Sequence, residues 1–495
     1  MILPGILCAA AIVTFLGIYR WRLGLLLSIP FGIMADAARK VIDGEPVYLS
    51  GLIVLPVLAS LIGARLARGR IIPVALRRQQ AWLKVPLVLY LLLVLLQSLN
   101  GIYTSGSPMV GVIGLVAYLI PVVGLVLGAH YARRTRDIQR FLLWYVVLAT
   151  AMAATVYLAR LGISGKIFEP VGSGLVALAS PSGVALDLEP GLYRAEEVAA
   201  WHTATAICFL LILYFRKRRP WISLVPIACL LAVLGGALLM TGRRKGIVEV
   251  GLFVLVYLAC LAYFRRGAIK TALVLGLLSA VGMVVFLVST IGQKLSIHPY
   301  FERGLDIGGK DVRRVQTFAV DLLGAVIEQN GWFGSGAGSG SQGAQHFGAG
   351  ADLVGIAAEG GVGKIVAELG VPGLIFVVWL GLAFAVVFWK AARASSRRTR
   401  ATSYFAYGCL AFMIPNAMTF TIGHQIFGDP LVLTLTGIMA GMLLSVPYLK
   451  GDGRRTSHLR PRSRAGWRNR SRHGSAAIRR FRVAASLRAS VTDFY

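Results

Sequence analysis

Acidic side chains are scarce in this chain: 21 Asp and Glu stand against 51 Lys and Arg, and charged residues of both signs make up only 15% of it. A soluble domain carries about 25% charged residues, so a string of ordinary solvated domains is excluded. Cysteine is sparse too. Cys8, Cys208, Cys229, Cys260 and Cys409 lie in or beside apolar runs, which argues for packing as small hydrophobes and against a disulfide framework. No Cys/His group has metal-ligand spacing, so no metal site is expected. The N-terminus lacks the charged start, short apolar core and cleavage site of a signal peptide, and reads as a retained span.

What is abundant is hydrophobic sequence, 57% of the residues. It is blocked into runs near the roughly 20 residues that a helix needs to cross a hydrocarbon core about 30 Å thick. Candidate spans lie near 2–19, 23–36, 47–64, 85–99, 109–130, 139–160, 198–215, 221–241, 246–264, 268–290, 365–389, 402–421 and 429–449. The second is short and ends in Asp36, Arg39 and Lys40, which fits a tilted or re-entrant segment. The expected fold is all-α: a polytopic transmembrane helix bundle of about 12–13 spans, residues 1–449, with a large periplasmic loop at 291–364 that contains an amphipathic helix, and a basic cytoplasmic tail at 450–495.

Lys and Arg set the orientation, because they stay on the cytoplasmic side. Thirteen spans place Arg20 and Arg22, the Arg65–Lys84 group, Arg133–Arg140, Arg216–Arg219, Arg265–Lys270, Lys390–Arg400 and the tail on one side. The N-terminus is then periplasmic and the C-terminus cytoplasmic, in an inner membrane of bacterial type. The net charge of +30 is therefore a topology signal, and nucleic acid is not an expected partner. The tail should be disordered or held by anionic lipid, at about 1 kcal/mol per basic residue near the surface.

One cluster opposes the rule. Arg243, Arg244 and Lys245, in MTGRRKGIVEVG, fall at the external end of one span and the start of the next. Either Glu249, four residues after Lys245, compensates locally, or the cations form an anion site; guanidinium suits a diphosphate because its fork donates two parallel hydrogen bonds. Arg244 is the first candidate and Arg243 the second. In the long loop, DVRRVQTFAVDLLGAVIEQ (311–329) has helical apolar spacing, with Asp311 as N-cap and Arg313 and Arg314 in its first turn. Such a helix lies along the membrane surface or covers a cavity. Next comes NGWFGSGAGSGSQGAQHFGAG, whose glycines suit close approach to a ligand or a flexible linker equally. His346 lies within it. Glu359 then stands outside the re-entering span and Glu368 within its first turns, where an ionisable group usually faces a cavity or a partner. Pro372, with Gly370 and Gly373, should kink that span.

Three of these features resemble the O-antigen ligase and O-antigen polymerase-like superfamily of bacterial membrane glycosyltransferases. They are Thr241-Gly242-Arg243-Arg244-Lys245-Gly246; Arg313-Arg314 through Trp332-Phe333-Gly334-Ser335-Gly336; and Ala367-Glu368-Leu369-Gly370-Val371-Pro372-Gly373-Leu374. Their order, spacing and sidedness agree over roughly 240–390, while the N-terminal half matches only as a run of spans. The resemblance implies a glycan donor carried on a polyprenyl diphosphate, a glycan or lipid acceptor, and partners among other polysaccharide-assembly proteins. It implies no nucleotide sugar, metal or other cofactor. Arg244 and Arg314 would hold the diphosphate, with Arg243, Arg313 and Lys245 beside them. The family's ligases usually carry a histidine about nine residues before the re-entry glutamate, where this chain has Glu359. Glu359, or His346 reaching in from the loop, would be the base, with Glu368 a further catalytic candidate; the departure favours a polymerase or another glycan transferase over a ligase.

A transporter or flippase of a lipid-linked glycan is the rival class, and a non-catalytic scaffold a second. Ion-driven transporters normally place ionisable or broken-helix sites near the midplane, whereas here the span middles are nearly free of charge.

Overall fold

The computed structural model describes residues 2–69, 72–78, 81–163, 165–171, 177–179, 185–216, 224–264, 298–305, 317, 322–341, 347 and 360–449. The chain is a polytopic bundle of membrane-crossing α-helices. Among the described residues eleven helices are long and apolar enough to cross a membrane. In chain order the apolar helices are α1 (Ile2–Tyr19), α2 (Trp21–Val41), α3 (Tyr48–Leu66), α4 (Leu83–Ser105), α5 (Pro108–Tyr131), α6 (Thr135–Arg160), α7 (Glu196–Phe215), α8 (Leu224–Met240) and α9 (Arg244–Phe264). Two short loop helices follow, α10 (His298–Leu305) and α11 (Leu323–Asn330), and then α12 (Gly361–Ser395), α13 (Arg400–Ile422) and α14 (Pro430–Tyr448). Helix α8, at 17 residues, is the shortest of the apolar set. The expected span at 268–290 and the tail at 450–495 lie outside the described residues. So do Arg313, Arg314, His346 and Glu359.

The second span is a correction. It is neither short nor re-entrant: α2 runs 21 residues, because its polar end finds partners inside the protein. Asp36 accepts from Ser50 Oγ at 2.7 Å, Arg39 Nε donates to the Glu45 carbonyl at 2.8 Å, and Lys40 Nζ donates to the Gly191 carbonyl at 2.7 Å. A run that looked too charged to stay in a membrane stays helical because each of these groups is answered. A small antiparallel hairpin, β1 (Ala177–Ala179) and β2 (Ala185–Asp187), sits in the α6–α7 connection.

Glycine sets the close crossing of α5 and α14. Gly124 and Gly128 of α5 face Gly437 and Gly441 of α14, four residues apart on each helix. A Cβ at Gly128 would lie 2.1 Å from the Ile438 carbonyl oxygen, and one at Gly441 2.0 Å from that of Leu125. In a membrane, where helices gain nothing from hiding apolar surface, such small-residue faces let backbones approach and gain dispersion contacts. Helix α7 is buried almost end to end, enclosed by α6, α8, α9 and α13.

Polar contacts gather the helix corners into two groups. At one end Arg22 meets Asp137, Arg68 meets His130, and Arg398 Nη1 donates to the Leu449 carbonyl at 3.0 Å. At the other, Lys40 reaches the α6–α7 loop, Arg194 pairs with Asp429 at 3.4 Å, and Lys245 Nζ donates to Gln425 Oε1 at 3.3 Å. Burial alone would lower the proton affinity of Arg194, but Asp429, Asp36 and Glu197 raise it above the ordinary arginine value. Asp429 also caps α14, accepting from the Leu431 amide at 2.7 Å. The corners that are rich in arginine and those that are not thus fall at opposite ends of the bundle.

Candidate functional site

The anomalous cations sit where α8 turns into α9. Gly242, at φ +66°, makes the reversal that an L side chain resists. The Gly242 amide donates to the Leu239 carbonyl at 2.8 Å, and the fully buried Thr241 donates its hydroxyl to the Leu238 carbonyl at 2.6 Å. These two bonds close the end of α8 and aim three consecutive cations along the first turn of α9.

The three cations differ in what they meet. Arg243 is bound by the carboxylates that open α7, Glu196 and, at 3.3 Å, Glu197. Its charge is thus met by two carboxylates. The local pair expected between Lys245 and Glu249 is replaced by longer-range contacts. Lys245 reaches Gln425, while the fully buried Glu249 accepts from Asn416 Nδ2 at 3.4 Å. Asn416 Oδ1 in turn accepts from Trp201 Nε1 at 2.8 Å. Glu197, Arg243, Lys245, Glu249 and Gln425 border a small pocket of about 20 Å³, room for about one water.

Arg244 heads α9 beside this pocket. A further cation, which the sequence motifs did not single out, is brought to the same corner: Arg303 of α10 donates from Nε to the Gly242 carbonyl at 3.4 Å. The signal was present in HPYFERGL, a short strongly amphipathic stretch with arginine on its polar face.

The glycine-rich segment is neither a free linker nor an open cradle over its described part. Residues 332–341 wedge between the ends of α4, α5 and α12. The Ala337 amide donates to the Gln97 carbonyl at 2.8 Å and the Ser335 amide to the Ala367 carbonyl at 2.7 Å, while the Val371 amide donates to the Trp332 carbonyl at 2.9 Å. Gln97 Nε2 donates to the Phe333 carbonyl at 2.8 Å. Gly336 and Gly338 stand at φ +100° and +95°, with Cβ positions 2.1 Å from the Gly101 nitrogen and 2.0 Å from the Val110 oxygen. Glycine is required here for passage between helices.

Helix α12 kinks as expected, and the break is at Gly370, φ +73°, two residues before Pro372. The kink seats Glu368 at 0% exposure. Tyr118 Oη donates to its Oε2 at 2.6 Å, the Gly340 amide donates to its Oε1 at 3.1 Å, and Lys364 Nζ stands 3.8 Å from Oε1. Both oxygens are thus engaged. Glu368 fastens the glycine wedge to α5 and α12, a position that suits an anchor. The described half of the expected amphipathic helix, α11, lays Val326 with Leu323 and Ile327 against Val366 and Ala367 of α12. Its apolar face therefore covers protein and not lipid.

Tyr118 also borders a cavity of about 1010 Å³. Its walls are apolar and come from α4, α5, α9, α12, α13 and α14, with Leu255 and Tyr263 of α9 and Trp389 of α12 among them. Leu255 lies eleven residues from Arg244, about 16 Å along a helix that rises 1.5 Å per residue. The cavity thus begins well inside the bundle from the cationic corner, on the same helix.

Among the described residues, the buried ionisable groups within the spans stand near the helix ends: Asp36, His202, Glu249 and Glu368 lie within about two turns of this end, and His130 and Asp137 lie at the other. Of the sequence candidates, Arg243, Arg244 and Lys245 share one corner, and Glu368 belongs to a separate anchor on α12. Neither protein-family models nor curated protein sequences match the chain.

Proposed function

We propose that the chain is a membrane glycan polymerase or ligase, which transfers an oligosaccharide from a polyprenyl diphosphate to an acceptor hydroxyl at the periplasmic face. In this reading the end holding the α8–α9 corner faces out, and the arginine-rich end, with the C-terminus, faces the cytoplasm. The observation that carries the proposal is one helix joining two environments. Arg244 and Lys245, with Arg303 beside them, head α9, and farther along α9 the cavity wall begins. A lipid diphosphate needs that pairing: cations for the head and a dry groove for the tail.

The chemistry follows from charge. Displacing the sugar leaves negative charge on the diphosphate, which fixed guanidiniums stabilise in a site of low dielectric. Arg244 and Arg314 are the proposed ligands, and Glu359 the proposed base that takes the acceptor's proton, a step worth about 10²–10⁴-fold where measured. Glu368 and Tyr118 hold the wedge that shapes the site. The flippase reading is weaker because, among the described residues, the buried ionisable groups stand near the ends of the spans, whereas ion-driven carriers place theirs near the midplane.

The test is the glycan profile of a deletion strain complemented with Arg244→Ala or Glu359→Gln at normal membrane levels. Loss of long glycan with build-up of the lipid-linked repeat selects a polymerase, and loss of glycan from one acceptor selects a ligase. Full complementation by both variants removes the transferase reading. Retention of the lipid-linked unit on the inner leaflet selects a flippase.

A further inference from the structure

The arginine-rich end carries a second cationic group, built differently from the α8–α9 corner. The guanidinium of Arg22 lies 5.5 Å from the Trp21 ring and 5.2 Å from that of Tyr131, and that of Arg68 lies 5.0 Å from the same Trp21 ring. Two guanidiniums therefore share one indole that is 7% exposed. Arg22 Nη2 donates to the Tyr131 carbonyl at 2.9 Å, and Arg68 Nη1 contacts His130 Nδ1 at 3.1 Å. Arg133 follows on the α5–α6 turn with its side chain exposed.

The countercharge is too small. Asp137 is the one carboxylate interacting with this group among the described residues, and it is already engaged by Arg22 at 3.3 Å and by the amides of Arg133 and Arg134 at 3.2 and 3.0 Å. Three guanidiniums against one carboxylate leave two uncompensated charges. Arg68 registers the crowding: burial first, then Arg133 and Arg22, hold its proton affinity below the ordinary arginine range. Its Nε is enclosed and has no protein acceptor.

We propose that Arg22, Arg68 and Arg133 form a binding site for the phosphate of an anionic phospholipid at this end of the bundle. The exposed guanidinium of Arg133 supplies donors to the phosphate, where charge-assisted bonds are short and strong, and Arg22 and Arg68 add positive charge behind it. The neighbouring surface supplies the rest. Ile12, Phe15 and Tyr19 of α1 are 60, 57 and 71% exposed and lead along the helix to this corner, a path for acyl chains. The Trp21 and Tyr131 rings stand where aromatic side chains meet headgroups. The site is independent of the proposed transferase chemistry, which uses the opposite end.

The experiment uses the full chain in neutral detergent. Binding of phosphatidylglycerol, phosphatidylcholine and inorganic phosphate is followed by native mass spectrometry and by the shift in melting temperature. Wild type should retain one phosphatidylglycerol in preference to phosphatidylcholine. The Arg68→Gln/Arg133→Gln variant should weaken that affinity about tenfold or more, as loss of hydrogen bonds to a charged group requires. The variant Lys166→Glu, the same change in charge at an exposed position in the α6–α7 loop, should bind as wild type does. If the double variant fails to fold, Arg133→Gln alone, at an exposed position, should still weaken binding about threefold. Equal retention of both lipids, or wild-type affinity in the Arg68 and Arg133 variants, overturns the site. Displacement of the lipid by millimolar inorganic phosphate would make it a site for free phosphate and overturn the lipid assignment.

Discussion

The glycine wedge makes the sharpest test of how this bundle is closed. Replacing Gly336 by alanine asks for two things at once. A left-handed backbone costs an L residue about 1–2 kcal/mol. The new methyl would also lie 2.1 Å from the Gly101 nitrogen and 2.3 Å from its Cα, backbone atoms of α4 that cannot swing aside. Overpacking of that kind costs about 1–3 kcal/mol, so the sum is about 2–5 kcal/mol. Gly106 supplies the control. It stands at φ +65° in the neighbouring α4–α5 turn, with nothing within 4 Å of its Cβ position, and Gly106→Ala should cost only the backbone part, about 1–2 kcal/mol. Melting of the two purified variants in detergent, followed by tryptophan fluorescence, should place Gly336→Ala clearly below Gly106→Ala. Equal melting temperatures would mean that residues 332–341 are not held between helices, and the wedge would have to be abandoned.

Other consequences follow from the polar contacts. Tyr118→Phe removes a 2.6 Å bond to the buried Glu368 carboxylate and should cost about 1.5–3 kcal/mol, read as a lower melting temperature; unchanged melting would deny the anchor. Arg243→Gln strands the buried Glu196 and should cost about 3–5 kcal/mol, with Arg243→Gln/Glu196→Gln recovering most of it. Arg244→Gln should abolish glycan assembly at a normal membrane level of the protein. Glu189 tests electrostatics outside the spans: burial raises its pKa above the ordinary carboxylate value, and Arg160 only partly opposes this. A raised acid pKa favours the folded state while the group is protonated. That advantage is lost as pH rises from the unfolded value through the folded one. Glu189→Gln should therefore melt higher than wild type at pH 8, and the gap should close on acidification below the ordinary carboxylate pKa; a gap independent of pH would refute the assignment.

Several features were visible in the residues. The kink of α12 follows from Gly370 and Pro372, and the wrong-sided arginines stand out against the positive-inside bias. The partners did not show. Arg243 is answered by Glu196 and Glu197, 47 and 46 positions away, because α7 and the α8–α9 corner meet only in space. Local spacing instead suggested Glu249, whose contact turned out to be Asn416 on α13. Nothing local says which of the chain's 57 glycines face one another, as Gly124 and Gly128 do Gly437 and Gly441.

By itself the sequence determined the class and the pattern of sides. Runs of apolar residues leave a backbone no choice but to satisfy its own hydrogen bonds as helix in lipid, and arginine placement orders the corners. Only the tertiary structure decided that α2 is a full span, that the glycine segment is a wedge, that Arg243 meets Glu196 and Glu197, and that Arg244 heads the helix leading to the cavity. Those outcomes depend on which distant groups come within 4 Å, and a one-dimensional pattern carries helix period and polarity but no such distances.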